Sequence, residues 1–375
     1  MVSYVRADAR IRNSPKIDFI LLGSAVLLIA FGLSSLYSQG VQHKDLAFFH
    51  KQLIYLVLGV IPFTIFFTID PKRWISLVNV LYIINVIGLI AVLKIGTSLN
   101  GAERWINIGP FQFQPSEMAK IVTVLTLSTF YIARRDSITQ FSTFILGGLH
   151  VLLPMILIVK QPHLGATMVI ASIWFWITII AGVPWKFILG ATGIALFILI
   201  GAIISPKILP GFIHSYHEKR ITAFLDGGSN QGSDYQTTRA LIALGVGGVT
   251  GDGYAKGTQG DYIPEQPTDF VFTILGEELG LIGSSLLVLT YCVLFYRLWI
   301  LCATTEDLYF RMIVTGILAI ISFHTFVNLF MVTKLLPVIG LWLPFMSYGG
   351  TALWLCMSCI GLALNISRRI DDVRF

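Results

Sequence analysis

Long apolar stretches dominate the chain, each about the length of a bilayer crossing and separated from the next by a short polar break. A membrane-spanning helix needs roughly 20 mostly apolar residues. Ten stretches answer that description, at about 17–39, 48–68, 76–95, 115–133, 142–159, 164–182, 187–206, 269–296, 311–333 and 348–367. One polar interval is far longer than the rest, about 207–268, between the seventh and eighth stretches. The pattern predicts an all-α polytopic membrane protein of about ten transmembrane helices, organised as a single integral membrane domain over 1–375.

Composition removes the soluble alternative. With 55% hydrophobic and 12% charged residues, and a mean hydropathy of +0.79, the chain lacks the polar surface to coat a soluble globule of 375 residues. Arg6, Arg10, Arg12 and Lys16 precede the first span without a following small-residue cleavage site, so the start reads as a retained anchor. Ten spans from a cytoplasmic start put both termini inside. Lys72, Arg73, Arg134, Arg135, Lys186, Arg297, Arg311, Arg368, Arg369 and Arg374 then fall in or beside inner segments, as the positive-inside rule expects. The long loop 207–268 is thereby extracellular. The net charge of +6 serves topology, so no nucleic acid is expected as a partner. Cys292, Cys302, Cys356 and Cys359 lie in or at the inner ends of spans and imply neither disulfides nor a zinc site.

Candidate chemistry gathers in four polar clusters on the outer side. The first runs Asn100-Gly101-Ala102-Glu103-Arg104-Trp105 and continues through Pro115-Ser116-Glu117 to Lys120. Glu117 suits the first turn of a helix opened by Pro115. Lys120 lies on the order of 7.5 Å deeper, three positions on and nearly on the same face, and an ionisable pair inside a membrane is a site candidate. The second cluster, Lys160-Gln161-Pro162-His163-Leu164-Gly165, holds a histidine that suits a hydrogen-bonded structural role better than proton transfer.

The third is the long loop, with His214, His217, Lys219, Arg220, Asp226, Asp234, Tyr235, Gln236 and Arg239, then the glycine-rich 245–253. The glycines lack the context of a nucleotide loop and indicate only tight folding. The loop ends at Pro267-Thr268-Asp269-Phe270, where a carboxylate meets the start of a span at a cost that points to function. Continuing that helix from Asp269 places Glu277 roughly 80° round and Glu278 roughly 180° round. Glu277 is therefore expected to share the cavity of Asp269, and Glu278 to pair with another helix. The fourth cluster, 334–350, carries prolines and glycines that predict a broken element buried against protein.

The wording NGAERW, FQPSEMAK, YQTTRALIALGVGG with GTQ, PEQPTDFVFTILGEELGLIG and LLPVIGLWLPFMSYGG closely resembles the SEDS family of bacterial shape, division and sporulation proteins (RodA, FtsW and SpoVE). The resemblance runs from about 17 to 367 in unbroken motif order, and GTQ with LPFMSYGG lies nearest the RodA branch of cell elongation. It implies a peptidoglycan glycosyltransferase in the bacterial cytoplasmic membrane that polymerises lipid II on the outer face, beside a class B penicillin-binding protein. Asp269 matches the family's essential acidic residue, while Trp105, Glu117 and Lys120 match cavity-lining positions and Arg104 a basic residue of the same motif. His163, Thr238 with Arg239, and Lys334 depart from the family's usual residues.

One in-line displacement suffices for the α-to-β change of linkage that the resemblance implies. Asp269 is the expected base, and Lys120, Arg104 and Arg220 the expected cations for the departing pyrophosphate, with Thr268 and Glu277 as further substrate-binding candidates. No cofactor is required; a divalent cation (Mg2+ or Mn2+) on the pyrophosphate is compatible with this chemistry. Two other functions stay open at this point. A lipid II flippase would also carry intramembrane charge and broken helices, and a non-catalytic scaffold for the crosslinking partner would leave Lys120 and Asp269 without a reason.

Overall fold

The computed structural model describes residues 17–99, 102–109, 111–204 and 233–370. Both terminal tails, on which the inner placement of the ends rests, lie outside them. Eleven α-helices occupy the described residues: α1 Phe19–His43, α2 Ala47–Thr68, α3 Trp74–Ile95, α4 Pro115–Ile132, α5 Phe141–Val159, α6 Leu164–Ala181, α7 Trp185–Ile204, α8 Ser233–Gly247, α9 Val271–Thr304, α10 Leu308–Val332 and α11 Gly350–Ser367. Eight of them, α1, α2, α3, α5, α6, α9, α10 and α11, are long and apolar enough to cross a membrane.

The expected fourth span is a helix too polar to join those eight, and its position explains why. α4 packs against α3, α5, α6, α10 and α11, and Ser116, Glu117, Lys120, Thr123, Thr126 and Ser128 along it are all buried. A helix enclosed by protein on every side is free to carry polar groups that lipid would reject. α11 is enclosed even more fully and lies along α2, where a Cβ on Gly361 would meet the carbonyl of Phe63 at 2.5 Å. Small residues at such crossings let helices approach closely.

Two features differ from the expectation of spanning helices joined by loops. Between α3 and α4 the chain forms a three-stranded antiparallel sheet, β1 Thr97–Leu99, β2 Ala102–Ile108 and β3 Phe111–Phe113. Its register pairs Thr97 with Trp105 and Ile106 with Phe113, and a bulge interrupts β1 after Thr97. The signal was present in the β-branched Ile106 and Ile108 before the Gly109-Pro110 break. The second difference is α8, a helix inside the long loop that packs on α9 and α10.

The glycine-rich stretch that follows α8 exists because α9 is broken. Gly280 has φ 60° and ψ −154° inside α9, which interrupts the helical ladder. The chain from 247 to 253 repairs it backbone to backbone. Asp252 and Gly253 donate to the carbonyls of Glu277 and Glu278, at 3.0 and 3.1 Å, and Leu281 and Ile282 donate to the carbonyls of Gly248 and Val249, at 2.9 and 3.2 Å. Such contact leaves no room for side chains: a Cβ on Gly251, whose φ is +80°, would lie 2.1 Å from the Glu278 oxygen. Gly251→Ala is therefore expected to destabilise the protein by about 2–3 kcal/mol through overpacking and left-handed strain, read as a lower midpoint of thermal unfolding in detergent.

The break also divides α9 by environment. Val271–Glu278 is buried throughout, whereas Leu281 and Ile282 are the first strongly exposed apolar residues. Leu281–Thr304 alone reaches about 36 Å at 1.5 Å per residue, enough for the hydrocarbon core. The lipid-crossing part of α9 thus begins beyond the two glutamates. At its far end Arg297, which the charge pattern placed in or beside an inner segment, lies within the helix and binds the Asp18 carboxylate with Nε and Nη2, at 3.0 and 2.9 Å.

Candidate functional site

Lys120 is completely enclosed. Its Nζ lies 2.7 Å from each oxygen of Glu117, one turn earlier on α4, and 2.9 Å from Nε2 of His324 on α10. The Trp342 ring covers it with the centroid at 5.2 Å. Trp342 also stacks on His324 at 4.0 Å between centroids, and its carbonyl lies 3.3 Å from His324 Nδ1. A lysine ammonium only donates, so Nε2 accepts from Lys120 and the imidazole proton rests on Nδ1, facing the Trp342 carbonyl. α4 and α10 supply the ionisable groups, and the segment between α10 and α11 supplies the lid over them.

That segment, 333–349, is the non-helical buried element the prolines and glycines predict. It takes left-handed backbone at Lys334, Gly340 and Phe345 and buries Val338, Leu341, Trp342, Leu343, Phe345, Met346 and Ser347. Its polar backbone is satisfied by neighbouring helices. Tyr291 donates to the Pro344 carbonyl, Gln52 donates to the Ser347 carbonyl at 3.2 Å and accepts from Gly349 N at 3.1 Å, and Asn328 donates to the Leu341 carbonyl at 2.7 Å. Irregular backbone inside a membrane protein is tolerated where protein meets its hydrogen-bonding needs.

The same segment grips the end of the long loop. Tyr348 N donates to the Pro267 carbonyl at 2.8 Å, and Ser347 Oγ donates to the Thr268 carbonyl. Asp269 N donates to the Glu265 carbonyl at 3.0 Å, and the Asp269 carbonyl accepts from Asn328 Nδ2 at 2.7 Å. Asp269 is half-buried in the turn just before α9, so its backbone is fixed on both sides. Asn328 and His324 are one turn apart on α10, and through them the Asp269 main chain and the Lys120 ammonium hang from a single stretch of helix.

Other candidates fall into separate roles. Arg104, on β2, donates to the carbonyls of Gln161, at 3.3 Å, and Pro162, while Trp105 lies beside it, half-buried, in the sheet. His163 is buried and its Nδ1 meets Ser116 Oγ at 3.2 Å and the Gln114 amide at 3.4 Å. The first two clusters of the sequence thus form one assembly at the N-terminal end of α4. Thr268 turns its hydroxyl to Glu265.

Glu277, expected beside Asp269, instead takes the backbone N–H groups of Thr258 and Gln259, the latter at 3.0 Å. Asp269 precedes the helix rather than belonging to it, so the angular extrapolation from one to the other starts from a residue with no helical azimuth. Glu278 bonds Ser38 and Gln42 of α1. Arg220 lies outside the described residues. His324, Asn328, Trp342 and Ser347 were missed; an ionisable residue inside a span, as His324 is, was the available signal.

Comparison with known proteins shows the family and the fold. The profile of the family described as cell cycle protein (FtsW, RodA, SpoVE) matches residues 13–371. The peptidoglycan glycosyltransferase MrdB of Escherichia coli K12 is 33% identical, covering 93% of this chain and 94% of that protein. The stage V sporulation protein E of Bacillus subtilis is also 33% identical, covering 95% and 98%. Among solved structures, a peptidoglycan synthase complex that coordinates polymerization and crosslinking contains a chain with TM-score 0.79 and 27% identity, covering 94% of this chain and 98% of that one. The rod shape determining protein RodA of Thermus thermophilus superposes with TM-score 0.68 at 26% identity, over 94% and 97%. With a profile match across nearly its full length, the chain is an integral membrane protein of the SEDS family of FtsW, RodA and SpoVE proteins.

Proposed function

We propose that this peptidoglycan glycosyltransferase polymerises lipid II into glycan strands on the outer face of the bacterial cytoplasmic membrane, for cell elongation and shape. The observation that carries the reading is that the main chain of the half-buried Asp269 and the buried Glu117–Lys120 pair are both held by one turn of α10. Asp269 takes the proton of the acceptor hydroxyl as its oxygen attacks the anomeric carbon of the donor sugar. The bond to the polyprenyl pyrophosphate breaks on the opposite side, which inverts the linkage in one step. Lys120, with Arg104 and Arg220, offsets the charge that develops on the leaving group. Trp105, Glu117, Thr268 and Glu277 complete the substrate-binding set, Glu277 by holding the 257–259 turn.

Among the described residues no three His, Cys, Asp or Glu side chains converge as a metal site. A divalent cation on the substrate's own phosphates is compatible with this chemistry, and no step above runs through one. The partner is a class B penicillin-binding protein that crosslinks the product, in line with the synthase complex to which the fold is similar.

A lipid II flippase is the second reading, since α9 and the 333–349 segment are broken elements of the kind transporters use. Purified protein in liposomes carrying labelled lipid II separates the two. Long glycan strands are expected. Movement of label between leaflets without polymer would sink the polymerase reading.

A further inference from the structure

Lys120, as it stands, has nothing left to give a substrate. Three acceptor atoms crowd its buried ammonium: both oxygens of Glu117 at 2.7 Å and Nε2 of His324 at 2.9 Å. For Lys120 to hold a phosphate oxygen, one of these partners must give way. Glu117 is charged, bidentate and short, so its bonds are the stronger ones. His324 is neutral toward Lys120, longer, and rigid, with its ring stacked on Trp342 and its Nδ1 turned to the Trp342 carbonyl. It cannot follow an ammonium that moves.

We infer that His324 is a stand-in acceptor, which holds the remaining proton of Lys120 while the site is empty and yields it to a phosphate oxygen of the lipid-linked substrate. The inference rests on Lys120 serving the pyrophosphate, as proposed above. No proton changes owner in the exchange: the Lys120 N–H turns from the imidazole lone pair to the anion. Glu117 from α4, His163 from the turn before α6, and Cys356 and Cys359 from α11 complete the ionisable surroundings. His324 acts on substrate only through Lys120 and is a positioning residue. The arrangement keeps a buried cation satisfied between turnovers, when an unmet N–H would be costly.

Binding of polyprenyl pyrophosphate to the full-length protein in detergent tests the exchange. His324→Phe keeps a ring to stack on Trp342 but offers no acceptor, so the free state loses its competing bond and the lipid is expected to bind about tenfold tighter. His324→Gln, whose side-chain carbonyl still accepts, is expected to bind close to wild type. Equal or weaker binding by His324→Phe overturns the inference, since a merely structural histidine would lower stability without tightening affinity.

A second measurement needs no variant. In protein with 15N-labelled histidine, saturating polyprenyl pyrophosphate is expected to shift the His324 Nε2 resonance and leave Nδ1–H in place; an unmoved Nε2 resonance is contrary to the exchange. Glycan synthesis from lipid II is scored on the same wild-type preparation. Polymer with an unmoved Nε2 sinks this inference alone, whereas a shifted Nε2 without polymer counts against the polymerase reading.

Discussion

Replacing Asp269 with asparagine is expected to slow glycan polymerisation about 10²–10⁴-fold, the range that loss of a general base produces, with little change in folding. The carboxamide matches the carboxylate in shape and cannot take a proton from the acceptor hydroxyl. The substitution leaves the main-chain anchors of the residue in place: its N–H to Glu265 at 3.0 Å and its carbonyl to Asn328 at 2.7 Å. Thermal unfolding in detergent and lipid II binding should stay near wild type. An Asp269→Asn protein that polymerises within tenfold of wild type would show that the proton goes elsewhere. A variant that both loses activity and unfolds early would point to a structural carboxylate at the loop end.

Part of the candidate site is legible in the sequence. The spacing of Glu117 and Lys120 on a helix opened by Pro115 predicts their contact, and the carboxylate at the loop–span junction singles out Asp269. The buried broken element between α10 and α11 follows from its prolines and glycines. What escaped the sequence depends on contacts between distant segments. His324 and Trp342 lie 204 and 222 positions from Lys120, and no local period connects them. The glycines at 245–253 acquire a reason only when α9 is seen to break at Gly280, since each side supplies the hydrogen-bond partners the other lacks. Glu277 shows the limit of helical extrapolation: the azimuth is sound inside α9 but cannot be carried back to a residue in the preceding turn. The small sheet was hidden by its polarity, which drew attention to Glu103, Arg104 and Trp105 as chemistry rather than to the alternation around Ile106 and Ile108.

The Glu117–Lys120 pair is expected to show the largest stability effect in the molecule and to separate stability from function. Glu117→Ala leaves an ammonium buried with only a neutral imidazole and an aromatic face beside it. Removing one partner of a buried ion pair costs about 3–5 kcal/mol, a large share of the 5–15 kcal/mol that holds a typical domain together. The variant should unfold at a markedly lower temperature or fail to accumulate. Converting both residues to apolar ones of similar length, Glu117→Leu with Lys120→Met, removes the charges together and is expected to recover most of that loss. Recovery will be incomplete because Nε2 of His324 is then a buried acceptor without a donor. The double variant should nonetheless form no glycan, having lost the cation proposed for the leaving group. Measuring unfolding and polymerisation on the same double variant decides the matter: stable and active protein would make the pair a structural device, and stable but inactive protein would place Lys120 in the chemistry.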